Sequence, residues 1–170
     1  MKSPISRIRL AGSTLIETVI AAALIAGFFG TIYEVNAVCF RYIDASKESV
    51  AALQGVQDRV EGVRGLSFGN LTSATSLKSI MATPSNTSDF VTKVQEVITI
   101  SGYPSGTPTV TYTRPAGAVS TVTSVPSGSA DFSNSTLVKV NVTYTWTMTL
   151  GGRQMSEQTE TIISAGNKKA

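Results

Sequence analysis

Residues 13–40 read STLIETVIAAALIAGFFGTIYEVNAVCF, and between Glu17 and Glu34 sixteen consecutive residues carry no charge. As an α-helix, those sixteen residues cover ~24 Å at ~1.5 Å of rise each. The hydrocarbon core of a bilayer is ~30 Å thick. Leu15 and Ile16 in front, with Val35 to Phe40 behind, complete a span whose boundaries lie near Glu17 and Glu34. Small residues recur at Ala22, Ala26 and Gly30, a spacing that lets helices approach closely in lipid.

On the N-terminal side the text is MKSPISRIRLAG, residues 1–12, polar and cationic, with no acidic residue before Glu17. Lys2, Arg7 and Arg9 predict a cytoplasmic N-terminus and export of everything after Phe40, because basic flanks stay on the cytoplasmic side. The formal charge of +3 is a property of this leader. Removing its three basic residues from the fourteen leaves eleven against eleven acidic side chains. Nothing downstream resembles a phosphate-binding stripe, so the basic balance does not imply a nucleic-acid partner.

Glu17 is a carboxylate at the edge of an apolar run. An ionised carboxylate at membrane depth costs roughly 2.5–3.5 kcal/mol on insertion scales. One reading is that it marks the cytoplasmic interface. The other is that cleavage after Gly12 frees an α-amine on Ser13, giving Glu17 a cation one helical turn away or on a neighbouring subunit. In a low-dielectric bundle that attraction offsets the burial cost and sets the axial register between helices.

The string G-S-T-L-I-E, Gly12 to Glu17, joined to a basic leader and an apolar helix, resembles the processing motif of type IV pilins and type II secretion pseudopilins. The resemblance implies a prepilin peptidase that cuts between Gly12 and Ser13 and methylates the new amine, with Glu17 as the family's assembly glutamate. Ser13 stands where phenylalanine is more usual, and Glu34 stands where many members carry a proline. The resemblance covers about residues 1–40 and so identifies the assembly module. A secretory signal peptide is the competing reading, with small residues at Ala21 to Ala23 and Ala26 for cleavage. Against it, Glu17 interrupts the apolar region and the apolar text runs on to Phe40.

Beyond Phe40 the chain becomes amphipathic. Ile43, Val50, Leu53, Val56, Val60 and Val63 recur at spacings of three, four and seven, predicting a stem over 41–65 that lays this stripe on a head domain. From Ser13 to Gly65 that makes ~80 Å of helix. Gly55, Gly62 and Gly65 each cost about 1 kcal/mol relative to alanine and predict early fraying.

The head, 66–170, opens with a Ser/Thr-rich loop over 66–93 holding a short helix near Leu77 to Met81. Its clearest element is LVKVNVTYTWTMTL, Leu137 to Leu150, in which apolar and polar residues strictly alternate, the period of a half-buried strand. Gly151-Gly152 suits a two-residue turn. That turn sets Met155 opposite Met148, Ile163 opposite Val140 and Glu157 opposite Trp146, so either the register slips or that end is open to water. Further strands fit Glu96 to Ile100, Thr109 to Arg114 and Val119 to Val125. The expected fold class is α+β, a long N-terminal helix packed on a small antiparallel sheet.

Chemistry is sparse. The chain has no histidine and one cysteine, Cys39, which rules out an intrachain disulfide and reads as a small buried hydrophobe. Glu157 and Glu160 fall on opposite faces of a strand, unsuited to an acid/base pair. Arg114 and Tyr112 make no nucleic-acid groove by themselves. No catalytic, cofactor-binding or metal-ligating residue is expected. The expected partners are other pilin or pseudopilin subunits, the peptidase and a bacterial inner membrane; a non-polymerising exported or anchored β-domain such as an adhesin is the alternative. Processing residues are Gly12 and Ser13; assembly residues are Glu17, Ala22, Ala26 and Gly30.

Overall fold

The computed structural model describes residues 10–85, 90, 93–117, 123–125 and 131–166. The chain divides into two compact units, residues 1–43 and 44–170. A single element enters both: helix α1, Leu10–Arg64, 55 residues without an internal proline. In the first unit every side chain from 14 to 43 is exposed. Two threonines there donate their hydroxyls back to the helix, Thr18 to the Leu15 carbonyl at 2.9 Å and Thr31 to that of Phe28 at 2.8 Å.

The second unit is an α+β fold in which the rest of α1 packs on an antiparallel sheet. After α1 come α2 (Phe68–Thr72) and α3 (Ala74–Ala82), then β1 (Gln95–Gly102), β2 (Thr109–Arg114), β3 (Thr123–Val125), β4 (Leu137–Thr147) and β5 (Gln154–Ser164). The described strands lie in the order β3-β2-β1-β4-β5. β4 carries the alternation of its sequence into the structure. Val138, Val140, Val142, Tyr144 and Trp146 are all buried on one face. Against them lie Ile98 and Ile100 of β1, Val110 and Tyr112 of β2, and Val56, Val60 and Val63 of α1. A valine or isoleucine buried this fully stabilises the fold by roughly 1.5–3 kcal/mol.

Four expectations change. The 66–93 segment holds two helices rather than one: the expected helix around Leu77 to Met81 is α3, and α2 precedes it, together burying Leu71, Leu77 and Met81 in the core. α1 ends in a tight turn, Leu66 N–H to the Val63 carbonyl at 3.2 Å, and Ser67 then caps α2 by accepting from the Asn70 N–H. The low propensity of Gly55 and Gly62 is overridden by packing, and α1 persists to Arg64.

The stem buries the C-terminal half of the expected stripe, and small residues replace the rest. Val50 and Leu53 are 54% and 42% exposed, and Ile43 belongs to the first unit, while Ala45, Ala52, Val56, Val60 and Val63 are buried. The reason is the bulk of Tyr144. A Cβ added at Gly55 would stand 2.7 Å from the Tyr144 ring, so α1 turns small residues towards the sheet there and larger ones away.

The hairpin register differs by two residues. β4 ends at Thr147, which pairs with Gln154, so Trp146 faces Met155, Tyr144 faces Glu157 and Val138 faces Ile163. The turn closes between Met148 and Arg153 (2.8 Å) rather than around Gly151-Gly152 alone. Both glycines have positive φ, 76° and 63°, as residues in the left-handed region must, and they sit within a longer loop. That loop is held from the helix. The Glu48 carboxylate accepts the Thr149 N–H at 3.1 Å and the Thr149 hydroxyl as well. A shift of two keeps every side chain on its face, which is why the alternation alone did not reveal it.

The third expected strand, Val119 to Val125, appears as β3 over Thr123–Val125, and 118–122 lie outside the described residues.

Candidate assembly surface and the buried charge centre

Gly12 and Ser13 lie in the first turn of α1, as its third and fourth residues, and their side chains are outside the described residues. Glu17, Ala22, Ala26 and Gly30 follow on the same helix and are all exposed. Their angular placement follows from the helical repeat. At ~100° per residue, Ala22, Ala26 and Gly30 stand roughly 140°, 180° and 220° around from Glu17. The small residues therefore share one side of the helix, and Glu17 occupies the opposite side.

Nothing in the chain requires the glycines to be small. A Cβ added at Gly27 or Gly30 would meet no atom within 4 Å. Tyr33, Glu34, Asn36, Arg41 and Tyr42 begin the polar and aromatic text at the far end of the apolar run, the composition of a membrane interface. Among the described residues there is one helix long and apolar enough to cross a membrane, and its apolar window has no part buried in the chain. Cys39, expected to be buried, is exposed, like every side chain of α1 from 14 to 43.

The head contains a second cluster that periodicity passed over. Glu96 of β1 is completely buried between two guanidiniums. Arg59 of α1 approaches its Oε1 at 2.5 Å, and Arg114 of β2 its Oε2 at 2.9 Å. Two cations share one carboxylate, and the remaining charge of Arg59 is spent on α3. Its Nη1 and Nη2 donate to the carbonyls of Ile80 and Thr83 at 2.8 and 2.7 Å, at the negative end of that helix. Tyr144 closes the group, its hydroxyl 2.6 Å from that of Ser85. Burial raises the Tyr144 phenol above its ordinary pKa, and the Glu96 carboxylate adds to the rise.

The signal for this centre was in the sequence. Glu96 is in phase with Ile98 and Ile100, Arg114 with Val110 and Tyr112, and Arg59 with Val56, Val60 and Val63. Charges placed at apolar phase on three elements must find each other or stay unpaired. Arg114 and Tyr112 are accordingly interior residues, 1% and 3% exposed.

No family model, curated protein or solved structure matches the chain.

Elsewhere on the head, an open cleft of about 530 Å³ lies where the end of α1 and α2 meet the end of β5, lined by Arg64, Leu66, Phe68, Ile162 and Ile163 among others. It contains Ser67 and Ser164 but no carboxylate or histidine to activate them. Arg64 is already engaged with Glu61 at 3.0 Å. Among the described residues, no three of His, Cys, Asp and Glu come together in a way that would hold a metal.

Proposed function

We propose that this chain is a structural subunit, a minor pilin or pseudopilin, of a type IV pilus or type II secretion-type filament. The observation that carries the reading is the apolar stretch of α1. It follows the Gly12 to Glu17 motif directly, and all its side chains from 14 to 43 are left exposed by the chain's own fold. The apolar residues that dominate this uncovered helix need an apolar surrounding, supplied first by lipid and later by other helices.

In this reading Lys2, Arg7 and Arg9 hold the N-terminus in the cytoplasm of a bacterial inner membrane. The peptidase cleaves between Gly12 and Ser13 and methylates the Ser13 amine. That cation lies one turn from Glu17, about 6 Å along the axis at ~1.5 Å per residue. The opposite placement of Glu17 and the small residues supports a bundle rather than a simple pair. A neighbour packed on Ala22, Ala26 and Gly30 leaves Glu17 facing a different neighbour, so each helix has contacts on two sides. The role is mechanical, and the head carries no group that this role would require to react.

The test is the mature N-terminus, measured by mass spectrometry on protein from the native host. N-methyl Ser13 as first residue is the expected result. A start beyond Ala21, or an intact Met1, would overturn the reading and favour an exported or anchored β-domain.

A further inference from the structure

β5 is an edge strand of eleven residues, QMSEQTETIIS, and among the described residues no strand pairs with its outer side. Edges of this kind invite pairing with another chain, and proteins blunt them by shortness, proline, lysine, bulges or inward-pointing charge. The opposite edge among the described strands, β3, is three residues long, and such shortness is itself a protection. β5 has no proline and no lysine, and its register with β4 runs unbroken from Leu137↔Ser164 to Thr147↔Gln154, without a bulge.

The strand is also close to self-complementary. Laid antiparallel on a second copy about Thr159, it sets Met155 against Ile163, Ser156 against Ile162 and Gln158 against Glu160, with all eleven residues overlapping.

One residue spoils this surface. Glu157 shares the core-facing side with Met155, Thr159, Thr161 and Ile163, and it stands opposite Tyr144. It is half-buried and has no ion-pair or hydrogen-bond partner among the described residues. Glu160, by contrast, points to the other face, within 3.5 Å of Lys139. A sixth strand on the open side would flank Glu157, take away its remaining water and supply Thr161 in exchange, which cannot compensate a carboxylate.

We propose that Glu157 is the guard of the β5 edge, an inward carboxylate that keeps heads from joining strand to strand. The device acts whether or not the chain enters a filament, so it stands apart from the functional reading above.

The test uses the full chain in detergent, comparing wild type with E157V, E157T, E157K and E160V. The readouts are light-scattering mass against protein concentration and amide hydrogen exchange along β5. Circular dichroism checks that each variant folds, and E157T serves if E157V does not. The expected result is a concentration-dependent mass at least double that of wild type for E157V and E157T. Exchange along β5 should slow at least about tenfold, as paired amides do relative to open ones. E157K and E160V should behave as wild type. Folded E157V and E157T with wild-type mass and exchange would overturn the proposal. So would association of E157K or E160V as strong as that of E157V, since either would show that inward charge is not what holds the edge open.

Discussion

At position 96 one carboxylate serves two guanidiniums in a place that water does not reach, with Glu96 0%, Arg59 5% and Arg114 1% exposed. Such a group is costly to assemble and more costly to break, because removing one partner leaves an uncompensated buried charge. Glu96→Gln should therefore destabilise the second unit by roughly 3–5 kcal/mol. Urea unfolding of the detergent-solubilised chain, followed by Trp146 fluorescence, would read this. A triple replacement of Arg59, Glu96 and Arg114 by apolar residues of similar volume should cost much less. Tyr144 gives the same centre a pH dependence. Its pKa is raised from 10.0 in the folded state, so the folded chain keeps the phenol proton at pH values where the unfolded chain releases it. Stability from this group is complete below the unfolded value and falls as pH rises from about 10 through the folded value. Tyr144→Phe should flatten part of the alkaline loss and, by losing the Ser85 hydrogen bond, cost about 0.5–1.5 kcal/mol near neutrality. Thermal melts between neutral and alkaline pH check both effects. Tyr112, raised by burial as well, should retain the remainder of the slope.

Among the elements, the α1–β4 contact is set by the smallest residue in it. Gly55→Ala places a methyl against the Tyr144 ring, which cannot yield without disturbing Ser85 and Arg59, and should cost about 1–3 kcal/mol. Exposed Val50→Ser should change stability by no more than about 0.5 kcal/mol. The same melts distinguish them. This contact also marks where the sequence could be read and where it could not. β4 was legible because a period of two survives any partner, and β2 was bounded at Thr109 and Arg114 by the prolines flanking it. α1 was legible because its apolar text is long. The stem's buried stripe was legible from Val56 to Val63 and not before it, because valine and leucine weigh more than alanine and glycine in any periodicity, while the packing surface near Gly55 was chosen by the size of Tyr144 some ninety residues later. α2 was hidden for a related reason, and α3 was legible only around Leu77 to Met81. They are 5 and 9 residues long, rich in Ser and Thr, and are helical because Leu71, Leu77 and Met81 are needed in the core. The hairpin register escaped because Glu48, a helix residue, fixes the turn.

For the molecule as a whole, the two units answer to different solvents. The second has a closed core of its own, whereas the first exposes the side chains that a soluble protein buries. The candidate assembly residues Glu17, Ala22, Ala26 and Gly30 are all exposed on α1, and their opposition around the helix follows from the helical repeat. Glu17→Ala should leave the protein processed and in the membrane while reducing its recovery in sheared or purified filaments. Fractionation with an antibody to the head measures this, and normal incorporation would remove Glu17 from the assembly role. The sheet order has a consequence in time. β1 is paired on one side with its successor β2, but on the other with β4, whose first residue follows the last of β1 by thirty-five positions. A chain made N-terminus first can close the β1–β2 hairpin early, yet Ile98 and Ile100 wait uncovered on one side until residues 137–147 arrive. The stem is made before the strand that completes its binding surface, so closure of the head is timed by the late strand, and until then that seam stays open.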